Sequence, residues 1–430
     1  MLRMAITQVL AKNGIAVQAF WHLLPEVAAN WCHHRHWKPA GANMPIINRM
    51  AELHDDISAW RRDFHSDPEI LYEVRNTAAK VAALLREFGC DEVVEGIGQT
   101  GVVGVICGNR PGIGGNIGLR ADMDALPIAE ETGKPWASKN PGKMHACGHD
   151  GHSAMLLGAA RYLTETRNFS GKAVVIFQPA EEGGAGGKAM VDDGLMERFN
   201  VEEVYGMHNL PGLPVGHFSI RSGPIMASTD EFDITFRGRG GHAAMPHQCL
   251  DPIAAAAQCI QALQTIVSRQ TNPVESVVVS VTQVHAGNTH NVIPDIAFMN
   301  GTFRTLGNQA RVFTARRIEE IARGIAATNG MDVDFVHYPT YPVTFNHENQ
   351  TAKAVMVATA IAGEAHVDGQ AQPLLGGEDF SYMLERRPGA FIFIGNGDSA
   401  GLHTPRYDFN DEVIPFGTSY WAKLVETLRA

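Results

Sequence analysis

Apolar residues at Ile47, Met50, Leu53, Ile57, Trp60 and Phe64 recur every three or four positions, which predicts a helix from near Pro45. A second amphipathic helix follows Asn76-Thr77, with Val81, Leu84, Leu85 and Phe88 on one face and Gly89 as its stop. The pattern then changes to short unbroken apolar runs at residues 101–107, 117–121, 173–177 and 201–207. Such runs read as buried strands, and the intervals between them are long enough for helices. The alternation predicts an α/β layered domain.

From about Gly223 the pattern shifts again. Residues 231–236 alternate as a half-exposed strand does. Asp251-Pro252 is an N-cap with proline at the first helical position, opening a helix that carries Ile253, Ala257, Ile260, Leu263 and Val267. Strands at 277–284 and 297–304, a helix at 311–327 and a strand at 331–337 complete a β-α-β-β-α-β order, a ferredoxin-like layout. Beyond Tyr341 the buried style returns, with a strand at 391–395 and a final helix to Ala430. A small α/β domain thus interrupts a larger one.

Length adds that the chain, at 430 residues, is too long for one ordinary core. A hydrophobic content of 45% and a charged content of 19% are those of a globular protein. A net charge of -11, without a long block of one sign, disfavours nucleic acid and anionic membranes as partners. No run of roughly 18 apolar residues predicts a transmembrane helix. The six cysteines are scattered rather than arranged as a framework, so a reducing cytoplasm is the expected compartment. Residues 1–43 read as a flexible N-terminal extension. Its partly apolar stretch is interrupted by Gln18, His22 and Glu26 and makes a poor signal peptide. Its Cys32-His33-His34-Arg35-His36 cluster reads as a basic spacer rather than a metal trap.

The chemistry concentrates elsewhere. His145, Cys147, His149 and His152 fall within eight residues, and the adjacent pair Glu181-Glu182 follows some thirty residues later. Thiolate, imidazole and carboxylate are the protein ligands of zinc-like ions. A second carboxylate beside a ligating one is what a metal hydrolase needs as general base. Cys147 and His149 stand on a predicted loop before a helical stretch near Ser153. Glu181 and Glu182 follow a strand that Pro179 ends; past a strand end, a turn can bring neighbouring side chains into one site. The glycines up to Lys188 do not form a phosphate loop. Asp122 and Asp124 sit at a predicted strand end, facing the same way, where they can bind metal, orient a ligating imidazole, hold the base or merely cap a helix. His208 and His403 also follow strand-like runs, and beside a Cys/His/Glu cluster they become candidate ligands.

At this point the chain resembles the dinuclear metallo-amidohydrolases that include hippurate hydrolase, aminoacylase-type enzymes and indole-acetyl-amino-acid hydrolases. The likeness begins near Met44 and rests on ordered motifs: His65-x-x-Pro-Glu69, Ala-Asp122-Met-Asp-Ala-Leu-Pro, His145-Ala-Cys-Gly-His-Asp150, Gln-Pro-Ala-Glu181-Glu-Gly-Gly and Gly206-Met-His-Asn. It continues with Gly-Arg239-Gly-Gly-His-Ala-Ala-Met-Pro-His247, Gly287-Asn-Thr-His-Asn-Val-Ile-Pro, Gly301-Thr-Phe-Arg-Thr, Gly376-Gly-Glu-Asp-Phe and Leu402-His-Thr-Pro. Carboxypeptidase relatives have His at the position of Asp122 and Asp at that of Cys147, so the chain follows the hippurate-hydrolase branch. Residues 1–43 have no counterpart in the pattern, and Met44 reads as an alternative start.

The resemblance implies a three-layer α/β/α catalytic domain (44–223 and 342–430) with an inserted ferredoxin-like lid (224–341), through which a homodimer or higher homo-oligomer forms. It implies Cys147, His149, Glu182, His208 and His403 as ligands of two divalent ions, with Cys147 as the bridge. Zinc or manganese is expected before nickel or cobalt. Glu181 becomes the general base and Asp124 the residue that orients a metal-site group. His242 of the lid would stabilise an oxyanion in the partner protomer's site. Arg304 and Asn288 match lid positions that hold a substrate carboxylate. The implied reaction is hydrolysis of the amide bond of a small N-acyl amino acid. A cysteine-nucleophile amidase using Cys147, and a non-catalytic metal-binding protein, are the rival readings.

Overall fold

The computed structural model describes residues 47–112 and 114–430. The N-terminal extension, its Cys32–His36 cluster and the predicted helix start at Pro45 lie outside the described residues.

The first periodic stretch forms two helices, α1 (Asn48–Glu52) and α2 (His54–Ser66), rather than one. Helix α3 (Arg75–Phe88) ends at Gly89, whose φ of 84° lies in the left-handed region that glycine enters without cost. The apolar runs are the strands β2 (Gly101–Cys107), β3 (Asn116–Asp122), β4 (Lys172–Gln178) and β5 (Val201–Leu210). Strand β1 (Glu92–Ile97) precedes them at the sheet edge. It escapes a reading of apolar runs because the exposed residues Glu92 and Glu95 interrupt its apolar residues. Strand β16 (Gly389–Gly395) inserts beside β5, giving the order β1-β2-β4-β3-β5-β16-β6-β15, with β6 (Phe218–Ser219) and β15 (Val367–Asp368) at the far edge.

Strands β3, β4, β5 and β16 run parallel. Consecutive residues such as Val175, Ile176 and Phe177 are all fully buried, so both faces of the sheet are covered, as a parallel sheet requires. Helix α4 (His149–Thr166) lies across β3 and packs on α2, α3 and the C-terminal helix Ile414–Leu428. The parallel strands end on one edge of the sheet, where α/β proteins build their sites.

A second sheet has its own core. Strands β8 (Ser228–Arg237), β10 (Val277–Ala286), β12 (Ile296–Thr305) and β13 (Asp332–Pro339) pair antiparallel in the order β10-β12-β8-β13. Helices Pro252–Thr265 and Asn308–Thr328 fall between them in sequence, and the arrangement is ferredoxin-like. Phe232, Ile234 and Phe236 point from one face of β8 into a cluster with Cys259, Leu263, Phe303 and Ile318. The Asp251 side chain accepts the Ile253 N–H, capping the helix that Pro252 opens. The glycine-rich segment around His242 forms a two-residue strand, β9 (Gly241–His242), paired with β11 (Val292–Ile293), and β7 (Gly223–Met226) pairs with β14 (Thr344–Asn346). Among the described residues no helix is long and apolar enough to cross a membrane.

Candidate metal centre

Four segments leave the carboxyl edge of the parallel sheet and converge. After β3 comes Asp124, after β4 Glu181 and Glu182, within the end of β5 His208, and beyond β16 His403. Cys147 and His149 enter from the connection into α4. His149 is the first residue of that helix, which therefore starts four residues earlier than Ser153. Gly148 is its N-cap at φ 91°, and a Cβ there would stand 2.4 Å from Asn209 Oδ1, so only glycine lets the helix start this close to β5.

Two imidazoles are aimed by the same device. His149 Nδ1 donates to the Asp124 carbonyl at 2.8 Å, and His208 Nδ1 donates to the Asn209 carbonyl at 2.7 Å. A carbonyl only accepts, so Nδ1 carries a proton in both rings and Nε2 is the atom each neutral imidazole can offer a metal. His208 Nε2 lies 3.3 Å from Cys147 Sγ. His149 Nε2 is fully buried and has no hydrogen-bond partner. Glu182 Oε1 lies 3.3 Å from His403 Nε2 and 3.9 Å from His149 Nε2. Ligand atoms of Cys147, His149 and His208 all come within 4.8 Å of one another, and so do those of Cys147, Glu182 and His403. Cys147 belongs to both groups. An orphaned buried nitrogen beside a thiol shared by two donor sets fits two divalent ions, because a buried donor without a partner is otherwise costly.

The electrostatics agree with a site built around cations. Burial, with Glu182 and Glu181 nearby, pushes the Cys147 thiol well above its ordinary range. A bound cation is what converts such a thiol to thiolate. Burial, with Glu378 and Glu182 adding like charge, also pushes the Glu181 carboxyl well up. Burial opposes ionisation of Glu182 too, but its contacts with His403 and His149 prevail and hold it below the usual range. The two adjacent carboxyls thus take opposite directions, the separation an acid/base residue and a ligand need.

Asp124 proves to hold the tandem pair. Its carboxylate accepts the backbone N–H of Glu181 at 3.0 Å and of Glu182 at 3.1 Å, while His149 is oriented by its carbonyl. Asp122 lies deeper. It accepts from His152 Nδ1 at 2.7 Å and from Arg120 at 2.7 Å, so His152 supports the site from behind. His145, buried with neither ring nitrogen partnered, is in none of the donor groups.

Several residues of the site carried no assigned role in the sequence. Arg120, 1% exposed, donates to Gln178, Asp122, Glu378 and Asp379, and the carboxylate oxygens of the last two come within 4.8 Å of Glu181. Tyr341 reaches the Glu181 turn from the end of β13. Glu378 belongs to a recognised motif, but nothing local marks Arg120 or Tyr341 as its neighbours.

A cavity of ≈ 420 Å³ opens onto these groups. Cys147, Glu181, Glu182, His208 and His403 form its polar wall; Leu210, Met226, Leu374, Phe393 and Leu402 form an apolar one. Three expected site residues stand apart from it. His242 and Asn288 are exposed on the second sheet's side of the molecule. Arg304 is half-buried on β12, opposite Thr229 of the cavity wall, and forms no ion pair among the described residues.

The profile of peptidase family M20/M25/M40 matches residues 118–427. A hippurate hydrolase of Campylobacter jejuni is 42% identical over 381 residues, covering 89% of this chain and 98% of that protein. An N-acetylcysteine deacetylase of Bacillus subtilis is 39% identical over 373 residues, covering 86% and 96%. The crystal structure of the Bacillus subtilis YXEP protein, described as a dinuclear metal binding peptidase, superposes with a TM-score of 0.78 at 36% identity, covering 88% of this chain and 99% of that one.

Proposed function

Because the chain belongs to peptidase family M20/M25/M40 and is a metal-dependent amidohydrolase, we propose that it cleaves the amide bond of hippurate-like N-acyl amino acids, releasing a carboxylic acid and a free amino acid. One observation carries this reading: the shared-thiol donor groups stand beside the buried carboxyl of Glu181 at a cavity that is apolar on its other side.

Cys147, His149, Glu182, His208 and His403 hold two divalent ions, zinc or manganese. When bound, these supply Lewis acidity and acidify a water. Glu181 takes that water's proton and hands it to the leaving amine; a carboxyl kept from easy ionisation by burial is suited to return the proton. Asp124 keeps Glu181 and Glu182 in register. The acyl group packs on Leu210, Met226, Leu374, Phe393 and Leu402, which exclude water from the scissile bond. Residues 224–341 act as a lid. From it Arg304, aided by Asn288, clamps the substrate carboxylate, and His242 serves the oxyanion of a partner protomer. Free cysteines at 90, 107, 147, 249 and 259 suit a reducing cytoplasm.

The test is hydrolysis of hippurate by the full-length protein with added Mn²⁺ or Zn²⁺, then with a chelator. Activity that appears with metal and is abolished by chelation is expected. Activity untouched by thorough chelation would instead indicate the cysteine nucleophile. No turnover across a panel of acyl amino acids by fully loaded protein would sink the substrate assignment.

A further inference from the structure

Tyr341 stands just beyond β13, separated from it by Thr340, where the chain returns from the four-stranded sheet to the large one. The outgoing crossing, at Thr229, runs beside it. Thr229 N–H donates to the Tyr341 carbonyl at 2.9 Å, and Tyr341 N–H donates to Thr229 Oγ1 at 3.1 Å. The Thr340 hydroxyl donates to the Thr229 carbonyl at 2.6 Å, and the Tyr382 hydroxyl to the Thr340 carbonyl at 2.8 Å. The two crossings are therefore one hydrogen-bonded junction.

From this junction the Tyr341 side chain, 8% exposed, reaches the turn that carries Glu181 and Glu182. Its hydroxyl donates to the Glu181 carbonyl and accepts the N–H of Gly183 at 2.9 Å and of Ala185 at 3.4 Å. One phenol thus serves three main-chain groups of the turn at 180–185. That turn does not hold its shape by local preference. Ala180 (φ 53°), Gly183 (φ 96°) and Ala185 (φ 53°) all occupy the left-handed region, which costs an alanine free energy and persists only where surroundings impose it. Asp124 grips the turn from the β3 side. Tyr341 grips it from the other.

We propose that Tyr341 is a positioning residue for Glu181, and that it ties the register of the general base to the junction between the catalytic sheet and the lid. This rests on the reading of Glu181 as the base. The hydroxyl acts on main-chain atoms of the turn, so its loss displaces Glu181 without removing a ligand or a wall of the acyl pocket. A displacement near 1 Å at a reacting group costs about 10²-fold in rate. A lid movement that shifts Tyr341 moves the base with it.

The experiment compares Tyr341→Phe, Glu181→Gln and the double variant as full-length holoenzymes loaded with Mn²⁺, with metal content and hippurate kinetics measured for each. Tyr341→Phe is expected to keep two ions and an unchanged KM while kcat falls about 10²-fold. On the Glu181→Gln background the same change is expected to cost nothing further, because both act through one group. Full kcat in Tyr341→Phe beside an inactive Glu181→Gln overturns the proposal and leaves the base assignment standing. A raised KM at unchanged kcat also overturns it, since the phenol would then be touching substrate. An active Glu181→Gln overturns the base reading, and the proposal falls with it. If Tyr341→Phe does not fold, hydrogen exchange of the wild-type holoenzyme decides: slow exchange at the Ala185 amide, whose acceptor is the Tyr341 hydroxyl, supports the grip, and loop-like exchange there overturns it.

Discussion

At the scale of single residues, the site separates into donors and the groups that aim them. Glu181 and Glu182 are adjacent in sequence yet take different tasks, because one faces Glu378 and the other faces His149 and His403. Glu181→Gln should therefore keep fold and metal while kcat falls by about 10²–10⁴-fold, the contribution of a general base. Near-normal kcat in that variant would remove the assignment. Cys147 belongs to both donor groups, so Cys147→Ser should lower the occupancy of both ions, a hydroxyl being a far poorer anionic ligand than a thiolate. Metal content per protomer measures this, and two ions at undiminished affinity would refute the bridge. The candidate ligands were legible in the chain because titratable side chains clustered at strand ends are few. Arg120 was not: its carboxylate partners Glu378 and Asp379 lie more than 250 positions away, and no local pattern distinguishes a buried arginine from an exposed one.

Elements carry the next level of control. Helix α4 begins at His149, so the helix start itself presents a candidate ligand, and its neighbour Asp150 joins it to α2. Asp150 Oδ2 lies 2.8 Å from His65 Nδ1, and His65 Nε2 lies 3.3 Å from Glu130. Burial opposes a charge on His65, but Asp150 and Glu130 prevail and hold its pKa at about 9, against 6.5 for the free side chain. A folded-state pKa raised in this way contributes stability that is fully present below the unfolded value and is lost as pH rises through the folded one. Thermal stability should accordingly decline between about pH 6.5 and pH 9. In His65→Gln that portion of the slope should flatten, as melting curves across the range would show. An identical slope in the variant would mean that His65 is not the group responsible. The principal helices and strands were legible from periodicity, but β1, the short edge strands β6 and β15 and the helix Glu348–Ala362 were not. The boundary at His149 was misjudged because Gly148 reads as a loop residue, whereas in the fold its left-handed backbone caps the helix.

At the scale of the whole molecule, two sheets with separate cores divide the labour. The large one gathers the donors, and the small one holds His242, Asn288 and Arg304 away from its own chain's cavity or at its margin. If His242 serves a partner's site, mixing inactive His242→Ala protein with inactive Glu181→Gln protein should restore activity. In a mixed dimer one site carries both defects, while the other has native Glu181 and native His242 from opposite chains. Verified heterodimers that stay inactive would return His242 to a local structural role.

The sequence by itself determined the α/β class, the ferredoxin-like insertion and the candidate ligands, because hydrophobic period, turn residues and ligand chemistry are local properties of the chain. Only the tertiary structure decided which groups meet. Parallel strands far apart in sequence end on one edge, and that brings Asp124 under the tandem carboxyls and Arg120 onto Glu378 and Asp379, while the return from the second sheet brings Tyr341 onto the Glu181 turn. Burial then sets the charge of each group, and burial is a property of the packed molecule that no stretch of sequence possesses alone.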